Sequence, residues 1–476
     1  MDAYFSYPLL ISSIVLFLTW VILNWWSQNR KLPPGPWGLP FLGYFPFLSI
    51  THENFNALYK KYGNVFSFRT ISGNLMVIVN GHKSIKDVLV NRADEFDGRP
   101  LQSNLVAWFS DGLGIAQEEG ESWAQHRKFF LQTSKKFGFG KLEMEERIHD
   151  EIKQMIVILK KEKNADLHFS VAHAVNSVIS QVLFSKKFDR DQTFVRIQKS
   201  MRKIIPIFAS NINMIVGYPF DLMFLLFPGM RAVKEGIKEV RKFTDSAVQE
   251  QIRTHDPSFS RGYVDAYLQY RNELLAKGKP EAALFNDERL GANALNIFFE
   301  GTESASITII SLLLELSKHP EAQKAAQEEM DAVIGRERLP SWLDKQNLPY
   351  VDATLQELFR LAMVFRVSAM YSNFEETTIE GYRIPRRSIV MFNLWSINLD
   401  PEFFPNPKVF NPKRFLDETG KRIKKDGPYP FSLGKRSCVG EALGQMEVFL
   451  FMSSLIQNFN IPYADKVEDL RVIPRI

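Results

Sequence analysis

The longest uninterrupted apolar stretch of the chain lies near its N-terminal end. Residues 4–26 contain no charged side chain and consist mainly of Leu, Ile, Val, Phe and Trp. As an α-helix this stretch would be about 34 Å long, which is enough to cross the apolar core of a bilayer. A cleaved signal peptide is the alternative, but no basic residue precedes the stretch and no small-residue cleavage pattern follows it. The pattern therefore predicts a transmembrane helix.

The charges that flank this predicted helix indicate its orientation. Asp2 precedes it, whereas Arg30 and Lys31 follow it, so the positive-inside rule puts the rest of the chain in the cytosol. The next residues, 33–40, read PPGPWGLP and cannot continue a helix. We expect a signal-anchor helix over residues 1–31, a proline-rich hinge over residues 32–40 and a catalytic body over residues 41–476.

The pattern of the body predicts a mainly helical fold with a small β region. The longest helix is expected over residues 287–319, where apolar positions are nearly continuous, Asn286 is a suitable N-cap and Pro320 a stop. In its middle Gly301 weakens the helix and the Ser304 hydroxyl can bond back to the carbonyl of residue 300. We expect a local opening there, unless Gly301 serves close helix packing. Strands are expected at residues 65–69, 75–80 and 388–393.

A second apolar segment, residues 219–230, is bounded by proline and is too short to cross a bilayer. It is either part of the core or a surface contact with the membrane. No linker or repeat divides the chain after residue 40, so one domain is expected. The net charge of +5 is modest for 476 residues, and nucleic acid is therefore not an expected partner. Basic clusters at residues 135–136 and 421–425 are equally well explained as solvated loop faces.

The only cysteine of the chain, Cys438, lies in the sequence FSLGKRSCVG at residues 431–440. A lone cysteine excludes an internal disulfide and a multi-cysteine zinc site, and its ordinary role is that of a small buried side chain. Here Gly434 and Gly440 let the backbone bend around the sulfur, and Arg436 adds positive charge. A predicted helix from residue 441 puts the sulfur at a helix N-terminus, which favours a thiolate. We therefore expect a thiolate ligand of a haem iron.

If Cys438 ligates a haem iron, two further sets of residues can be assigned roles around it. Trp123 and Arg127 are one helical turn apart and present donors that suit a haem propionate, although such a pair alone is more often surface decoration. Glu357 and Arg360 form a common helical ion pair, to which Arg414 in FNPKRF (residues 410–415) can add a second cation. We expect these three to form a cluster beneath the Cys438 loop.

Taken together, these motifs resemble the cytochrome P-450 superfamily in order and spacing, and more closely its microsomal, family-2-like animal branch. The likeness also rests on PPGP at 33–36, HPE at 319–321, DAVIGR at 331–336, PYVDA at 349–353, PNP at 405–407 and GKRSCVGEAL at 434–443. It implies one mainly α cytochrome P-450-type domain with a long central helix over the haem. It also implies haem b ligated by Cys438, with the haem-binding residues Arg99, Trp123, Arg127, Phe431 and Arg436.

The resemblance further implies a monooxygenase of the endoplasmic reticulum membrane. Glu303 and Ser304 resemble the acid–alcohol pair that delivers protons, and Glu357, Arg360 and Arg414 the structural triad. NADPH electrons would arrive through NADPH–cytochrome P-450 reductase, docked near Lys128, Lys135 and Lys435, with cytochrome b5 as a further partner. The substrate would be a lipophilic xenobiotic, steroid or fatty acid. A haem-thiolate isomerase or dehydratase and a catalytically impaired haem-binding protein are the alternatives.

The sequence departs from the family pattern at four places. Ser304 replaces the usual Thr but keeps the hydroxyl. Glu300 replaces Ala or Gly, and the fatty-acid ω-hydroxylase branch carries a Glu there that can form an ester with the haem; pairing with a cationic substrate and a neutral carboxyl are the alternatives. Ala362 and Met363 replace His-Pro, which leaves the substrate-facing stretch 363–370 unusual. Finally, residues 461–476 are fewer than the family's C-terminal hairpin requires, and we expect that hairpin to be shortened.

Overall fold

The computed structural model describes residues 11–17, 19–20, 23, 29–39, 42–48, 52–70, 73–100, 109–162, 166–187, 192–208 and 228–475. Helices dominate the fold, as predicted. In chain order they are α1 (His52–Tyr62), α2 (His82–Lys86), α3 (Ala93–Phe96), α4 (Gly120–Lys136), α5 (Leu142–Lys161), α6 (Leu167–Phe184), α7 (Gln192–Phe208), α8 (Pro228–Arg253), α9 (Tyr263–Ala276), α10 (Asp287–Ser317), α11 (Pro320–Val333), α12 (Pro349–Leu361), α13 (Trp395–Asn398) and α14 (Glu441–Asn458).

The strands form one small mixed sheet and two short hairpins. In the sheet, β1 (Val65–Arg69) pairs antiparallel with β2 (Leu75–Val79), and β2 pairs parallel with β6 (Ile389–Phe392). The edge strand β3 (Tyr371–Ser372) runs antiparallel to β6. The hairpins join β4 (Thr377–Ile379) to β5 (Tyr382–Ile384) and β7 (Phe459–Asn460) to β8 (Ile473–Pro474). The three strands expected from alternating apolar residues are therefore confirmed to within one residue.

The central helix α10 runs without interruption for 31 residues. Its first turn is capped by Asn286, whose side chain accepts a hydrogen bond from the Arg289 N–H at 2.9 Å, and it ends two residues before the predicted position. The expected opening at Gly301 was wrong. Gly301 instead lies so close to α6 that an added Cβ would be 3.2 Å from Ile179 Cδ1, so the alternative of close helix packing explains this glycine.

The core explains why α10 is apolar on nearly all sides. Side chains of α5, α6, α8, α9, α10 and α14 share one large hydrophobic cluster, and the sheet carries two smaller ones. The helices α6 and α10 are long and apolar enough to cross a membrane, but 89% and 56% of their apolar windows are buried inside the protein. Burial in the core accounts for their apolar character.

The N-terminal apolar stretch is described only in part. Residues 11–17, 19–20 and 23 are helical, and their large apolar side chains are exposed, as at Phe17, Trp20 and Leu23. The apolar segment 219–230 lies outside the described residues except for its last three, which begin α8.

Candidate active site

The loop that carries Cys438 is shaped by backbone contacts before α14 begins. The Cys438 N–H donates to the Phe431 carbonyl at 2.9 Å. Gly434 adopts φ +77°, and an added Cβ there would lie 1.8 Å from the Leu89 carbonyl oxygen, so only glycine fits. Gly440 has a φ of −91°, which any residue can adopt. This glycine matters because it lies close to Cys438 Sγ, to which its N–H donates a hydrogen bond. The Phe431 ring packs against Phe359 beneath the loop, with ring centroids 6.1 Å apart.

The Cys438 thiol faces the open side of this loop. Its side chain is accessible on that side, while the protein around it desolvates the sulfur and raises the thiol pKa to about 11. The Glu300 carboxylate raises it further, and the Gly440 N–H and Arg127 oppose the rise. The expectation that the helix terminus favours a thiolate therefore stays a prediction, which desolvation of the sulfur opposes in the protein alone. A metal ligated by this sulfur would have to displace its proton.

Three guanidinium groups converge beside this loop, and we call them the arginine cradle: Arg99, Arg127 and Arg436. Arg436 stacks 3.7 Å from the Trp123 ring centre, and its Nε and Nη2 donate to the carbonyls of Asp97 at 2.8 Å and Glu118 at 2.7 Å. The Arg127 guanidinium lies 6.0 Å from the centre of the Trp123 ring, and its Nη2 donates to Ser437 Oγ at 3.4 Å.

The third member, Arg99, donates from Nε to the Ala116 carbonyl and from Nη1 to the Met370 carbonyl, both at 3.0 Å. Its guanidinium lies over the Tyr371 ring.

The electrostatics of the cradle suit a ligand with carboxylates. Burial, with the charge of Arg99, lowers the pKa of Arg436 to about 9, and burial and Arg99 also lower the pKa of Arg127. Buried cations that repel one another are stabilised by an anion. The Arg436 Nη1 is buried and has no hydrogen-bond partner among the described residues. These donors fit the two propionates of a haem whose iron is ligated by Cys438.

Helix α10 supplies the opposite wall. Glu300 and Ser304 are one turn apart, and the Ser304 hydroxyl donates to the Glu300 carbonyl at 2.6 Å, as expected. The Glu300 side chain is accessible on the cavity side, yet desolvation raises its pKa to about 7 against the opposing charge of Arg99. Glu303 is buried, and desolvation raises its pKa to about 7 against the charge of Arg202 on α7. The Glu300 carboxylate thus lies close enough to Cys438 to act on its thiol, whereas the buried Glu303 carboxyl lies near Arg202 of α7.

The predicted ion cluster beneath the loop is present. Arg360 donates to both oxygens of Glu357, at 2.7 and 2.8 Å, and both residues are fully buried. Arg414 Nε donates to the same carboxylate at 3.0 Å, and so does the Asn411 N–H at 2.8 Å. The remaining guanidinium N–H groups donate to backbone carbonyls of residues 398, 405, 407 and 409.

The comparisons with known proteins decide the family. The family model described as Cytochrome P450 matches residues 33–474. The chain belongs to the cytochrome P450 family. Cytochrome P450 2A4 of Mus musculus is 34% identical over 478 residues, which cover 98% of this chain and 95% of the relative. Cytochrome P450 2A13 of Homo sapiens is 34% identical over 98% of this chain and 95% of the relative, and cytochrome P450 2C8 of Homo sapiens is 34% identical over 96% and 94%.

Membership of the cytochrome P450 family makes the chain a monooxygenase of the oxidoreductase class, and the family's cofactor is a thiolate-ligated haem. The resemblance to family-2 members is confirmed, because the relatives above carry that family number. The unusual stretch at 363–370 begins and ends with Met363 and Met370, and both side chains are buried in the hydrophobic clusters of the β region.

Several residues of this P450 site were not found from the sequence. Tyr371 lies under Arg99, and the carbonyls of Asp97, Ala116 and Glu118 accept the arginine donors. Backbone carbonyls carry no side-chain signature, so no local pattern could have indicated them. Tyr371 belongs to the two-residue strand β3, which is not among the strands predicted from the sequence, so no local pattern pointed to it.

Proposed function

We propose that the protein is an NADPH- and O2-dependent monooxygenase that acts on a small lipophilic xenobiotic, steroid or fatty acid. The arginine cradle carries this proposal, because Arg436, whose buried Nη1 has no partner among the described residues, lies in the same loop as the only cysteine, and Arg99 and Arg127 lie beside it. Arg99, Arg127 and Arg436 would bind the propionates of haem b, and Trp123 would hold Arg436 in place. Cys438 would ligate the haem iron, with Phe431 supporting its loop.

When bound, the haem supplies the oxygen activation by which one oxygen atom enters the substrate and the other leaves as water. The chain supplies electron density from the Cys438 thiolate and protons from α10. Ser304 holds a hydroxyl at the cavity wall, and its bond to the Glu300 carbonyl fixes the direction of that hydroxyl. Burial raises the pKa of Glu300 and of Glu303 to about 7, so both carboxyls exchange protons at neutral pH, where general acids work best.

Glu300 has a second proposed role, as the site of an ester to the haem. Its carboxyl is on the cavity wall near enough to Cys438 to affect the thiol pKa, and a buried carboxylate is costly unless it is neutralised. An ester would neutralise it covalently: the carboxylate oxygen would replace a hydrogen of a haem methyl group, a two-electron oxidation for which O2 and the NADPH electrons of turnover would be the oxidant, with water as the by-product. Protonation or a cationic substrate would neutralise it reversibly. Acid–solvent extraction after turnover separates these roles. Haem that stays with the wild-type chain but leaves Glu300→Gln supports the ester, and complete extraction from both excludes it.

Electrons would come from NADPH–cytochrome P-450 reductase, with cytochrome b5 as a further donor. Lys128 and Lys135 are exposed on α4, seven residues apart and therefore on one helix face. Lys435 is less available, because it pairs with Asp94 and, at 3.4 Å, with Asp97. In the basic cluster at 421–425, Arg422 is also paired within the protein, because its Nε donates to Asp352 at 2.8 Å. We therefore propose that the reductase docks against α4.

The cellular place we propose is the endoplasmic reticulum membrane, with the catalytic body in the cytosol. A signal-anchor helix over residues 1–31 and a hinge over residues 32–40 would attach it. Exposed apolar side chains among residues 11–17, 20 and 23 support this, and so does Trp37 in the hinge, which is 83% exposed. Aromatic side chains of this kind favour the membrane interface.

Turnover of the haem-loaded protein with reductase over a panel of lipophilic substrates tests the function. We expect oxygenated product that requires NADPH, O2 and reductase together. Product formed from a hydroperoxide without NADPH, and none with NADPH, would instead favour a haem-thiolate isomerase or dehydratase. Haem binding without any turnover would favour a catalytically impaired haem protein.

A further inference from the structure

A short backbone segment, residues 114–119, orients two of the three arginines of the cradle. Its Ala116 carbonyl accepts from Arg99 Nε at 3.0 Å, and its Glu118 carbonyl accepts from Arg436 Nη2 at 2.7 Å. The Arg99 N–H also donates to the Glu119 side chain. Both guanidinium groups are more than nine-tenths buried, so a shift of this backbone would move both cations.

The segment is itself held by one face of α10. Arg289, Asn293 and Asn296 are spaced four and three residues apart, which aligns them along the helix. Asn293 Oδ1 accepts from the Ile115 N–H at 2.8 Å, and Asn296 Oδ1 accepts from the Ala116 N–H at 3.4 Å. Arg289 Nε donates to the Glu118 carboxylate at 2.7 Å.

The packing between the segment and the helix is tight. Gly114 adopts φ +89°, and an added Cβ would lie 2.4 Å from Asn296 Oδ1 and 3.1 Å from the Ala292 carbonyl oxygen. The Glu118 carboxylate closes the segment on itself by accepting from the Gly114 N–H at 3.3 Å, and it also accepts from Ser122 Oγ at 2.8 Å. The segment therefore has little freedom to move relative to α10.

The two asparagines serve this contact in particular. Asn293 and Asn296 are 0% and 1% exposed, and a buried amide is costly unless its polar atoms are used. Each oxygen accepts from the segment, whereas neither Nδ2 has a hydrogen-bond partner among the described residues. An apolar side chain would otherwise be the expected choice on a helix buried in the core.

We propose that Asn293 is a positioning residue for the haem propionates. It holds segment 114–119 against α10, and through the Ala116 and Glu118 carbonyls it orients Arg99 and Arg436. This inference rests on the proposed function, because it requires a haem whose carboxylates meet those two cations. If Asn293 has this role, helix α10, which carries Ser304, and the arginines that bind the propionates move together.

Haem transfer from the full-length protein to apomyoglobin tests this role when two haems are compared. Ordinary haem has charged propionates, and haem dimethyl ester does not. For Asn293→Leu we expect ordinary haem to leave about tenfold faster than from the wild type, as for a lost hydrogen bond to a charged system. The dimethyl ester should leave within about twofold of its wild-type rate, because it makes no use of the cations.

The matched control is Asn176→Leu. Asn176 is likewise a buried asparagine in a helix, 1% exposed, but its Nδ2 donates to Ala172 within α6. Both haems should leave this variant at wild-type rates. Equal acceleration of both haems by Asn293→Leu would overturn the proposal and indicate a general structural defect, and acceleration of neither would overturn it too. A wild type that retains neither haem would overturn the proposed function itself.

A second variant keeps the test decisive if Asn293→Leu does not fold. Arg289→Gln removes the bond to the Glu118 carboxylate from a partly exposed position in the first turn of α10. It should show the same selective loss of ordinary haem. Retention of both haems at wild-type rates would again contradict the positioning role of this helix face.

Discussion

Arg360 and Arg436 are both buried guanidinium groups, but they differ in what surrounds them. Arg360 meets the Glu357 carboxylate with two hydrogen bonds and three backbone carbonyls with the rest of its donors. Arg436 has no carboxylate in hydrogen-bond contact, lies near two other arginines, and keeps one buried Nη1 without a described partner. The first cluster is neutralised by hydrogen-bonded partners within the chain, whereas Arg436 is favoured only by the nearby charges of groups such as Asp97 and Glu119. We therefore expect the triad to stabilise the fold and propose that the cradle binds an anionic ligand.

The same contrast separates the buried carboxyls. Glu357 accepts hydrogen bonds from two arginines and from the Asn411 N–H. Glu303 and Glu447 each have one buried oxygen without a hydrogen-bond partner among the described residues, and burial raises their pKa values to about 7 and about 8. A partnered carboxyl can stay charged in the interior, whereas burial without a partner favours the protonated form.

The largest effect is expected from breaking the triad. Arg360→Met leaves the buried Glu357 without its bidentate partner, and this should destabilise the protein by about 3–5 kcal/mol with or without haem. Urea unfolding followed by circular dichroism measures it. Arg196→Met is the control, because its pair with Glu239 is exposed and such pairs contribute little. If Arg360→Met is as stable as the wild type, the triad does not stabilise the fold.

Removing a cation from the arginine cradle should affect haem retention more than the stability of the haem-free protein. Arg436→Met relieves repulsion with Arg99, so the haem-free protein should lose much less stability than Arg360→Met does. Haem transfer to apomyoglobin should nevertheless be at least about tenfold faster, because a buried partner of a carboxylate is lost. Lys435→Met changes the neighbouring, exposed cation and should leave haem transfer unchanged. If Arg436→Met retains haem as well as the wild type does, the proposal that the cradle binds the haem propionates is wrong.

The unpartnered carboxyl Glu447 sharpens the comparison through pH. Burial raises its pKa from 4.5 to about 8, so the folded state keeps a proton that the unfolded chain releases. The contribution of Glu447 to stability should therefore fall as pH rises from about 4.5 to 8. The stability of Glu447→Gln relative to the wild type should be smallest at pH 5 and should rise by about 1–3 kcal/mol between pH 5 and pH 8. Urea midpoints at the two pH values decide this, and Glu357→Gln should be destabilised at both.

The smallest effect is expected on the surface, where cations are free to meet a partner. Replacing Lys128 and Lys135 together by Gln should lower reductase-dependent turnover about two- to fivefold at low salt, with little difference at high salt. Lys324→Gln, on the exposed face of α11, is the control. Turnover that ignores both the substitutions and the salt concentration would exclude α4 as the docking face.

Features written in consecutive residues were predictable from the sequence. The Cys438 loop, the α14 helix after it, the extent of α10 and the triad pairing all depend on spacings within one element or on a few charged residues. The bond from Ser304 to the Glu300 carbonyl is likewise an i to i−4 contact. Such features follow from helix geometry and capping, which act over a few residues.

Features that depend on distant segments were not predictable. The close approach of Gly301 to Ile179 replaces the expected opening of α10. The raised pKa of the Cys438 thiol results from burial by surrounding segments, which outweighs the local helix terminus. Lys435 looked like a free cation, but Asp94 and Asp97, more than 330 positions away in sequence, pair with it. The carbonyls that hold Arg99 and Arg436 carry no sequence signature.

The reduced carbon-monoxide difference spectrum of the haem-loaded protein tests the central claim most directly. Because Cys438 is the only cysteine, a thiolate-type, red-shifted Soret band can arise only from this residue. We predict that band for the wild type and its loss in Cys438→Ser, with haem still bound through the arginine cradle. A wild-type protein that binds haem without the thiolate-type band would contradict the account.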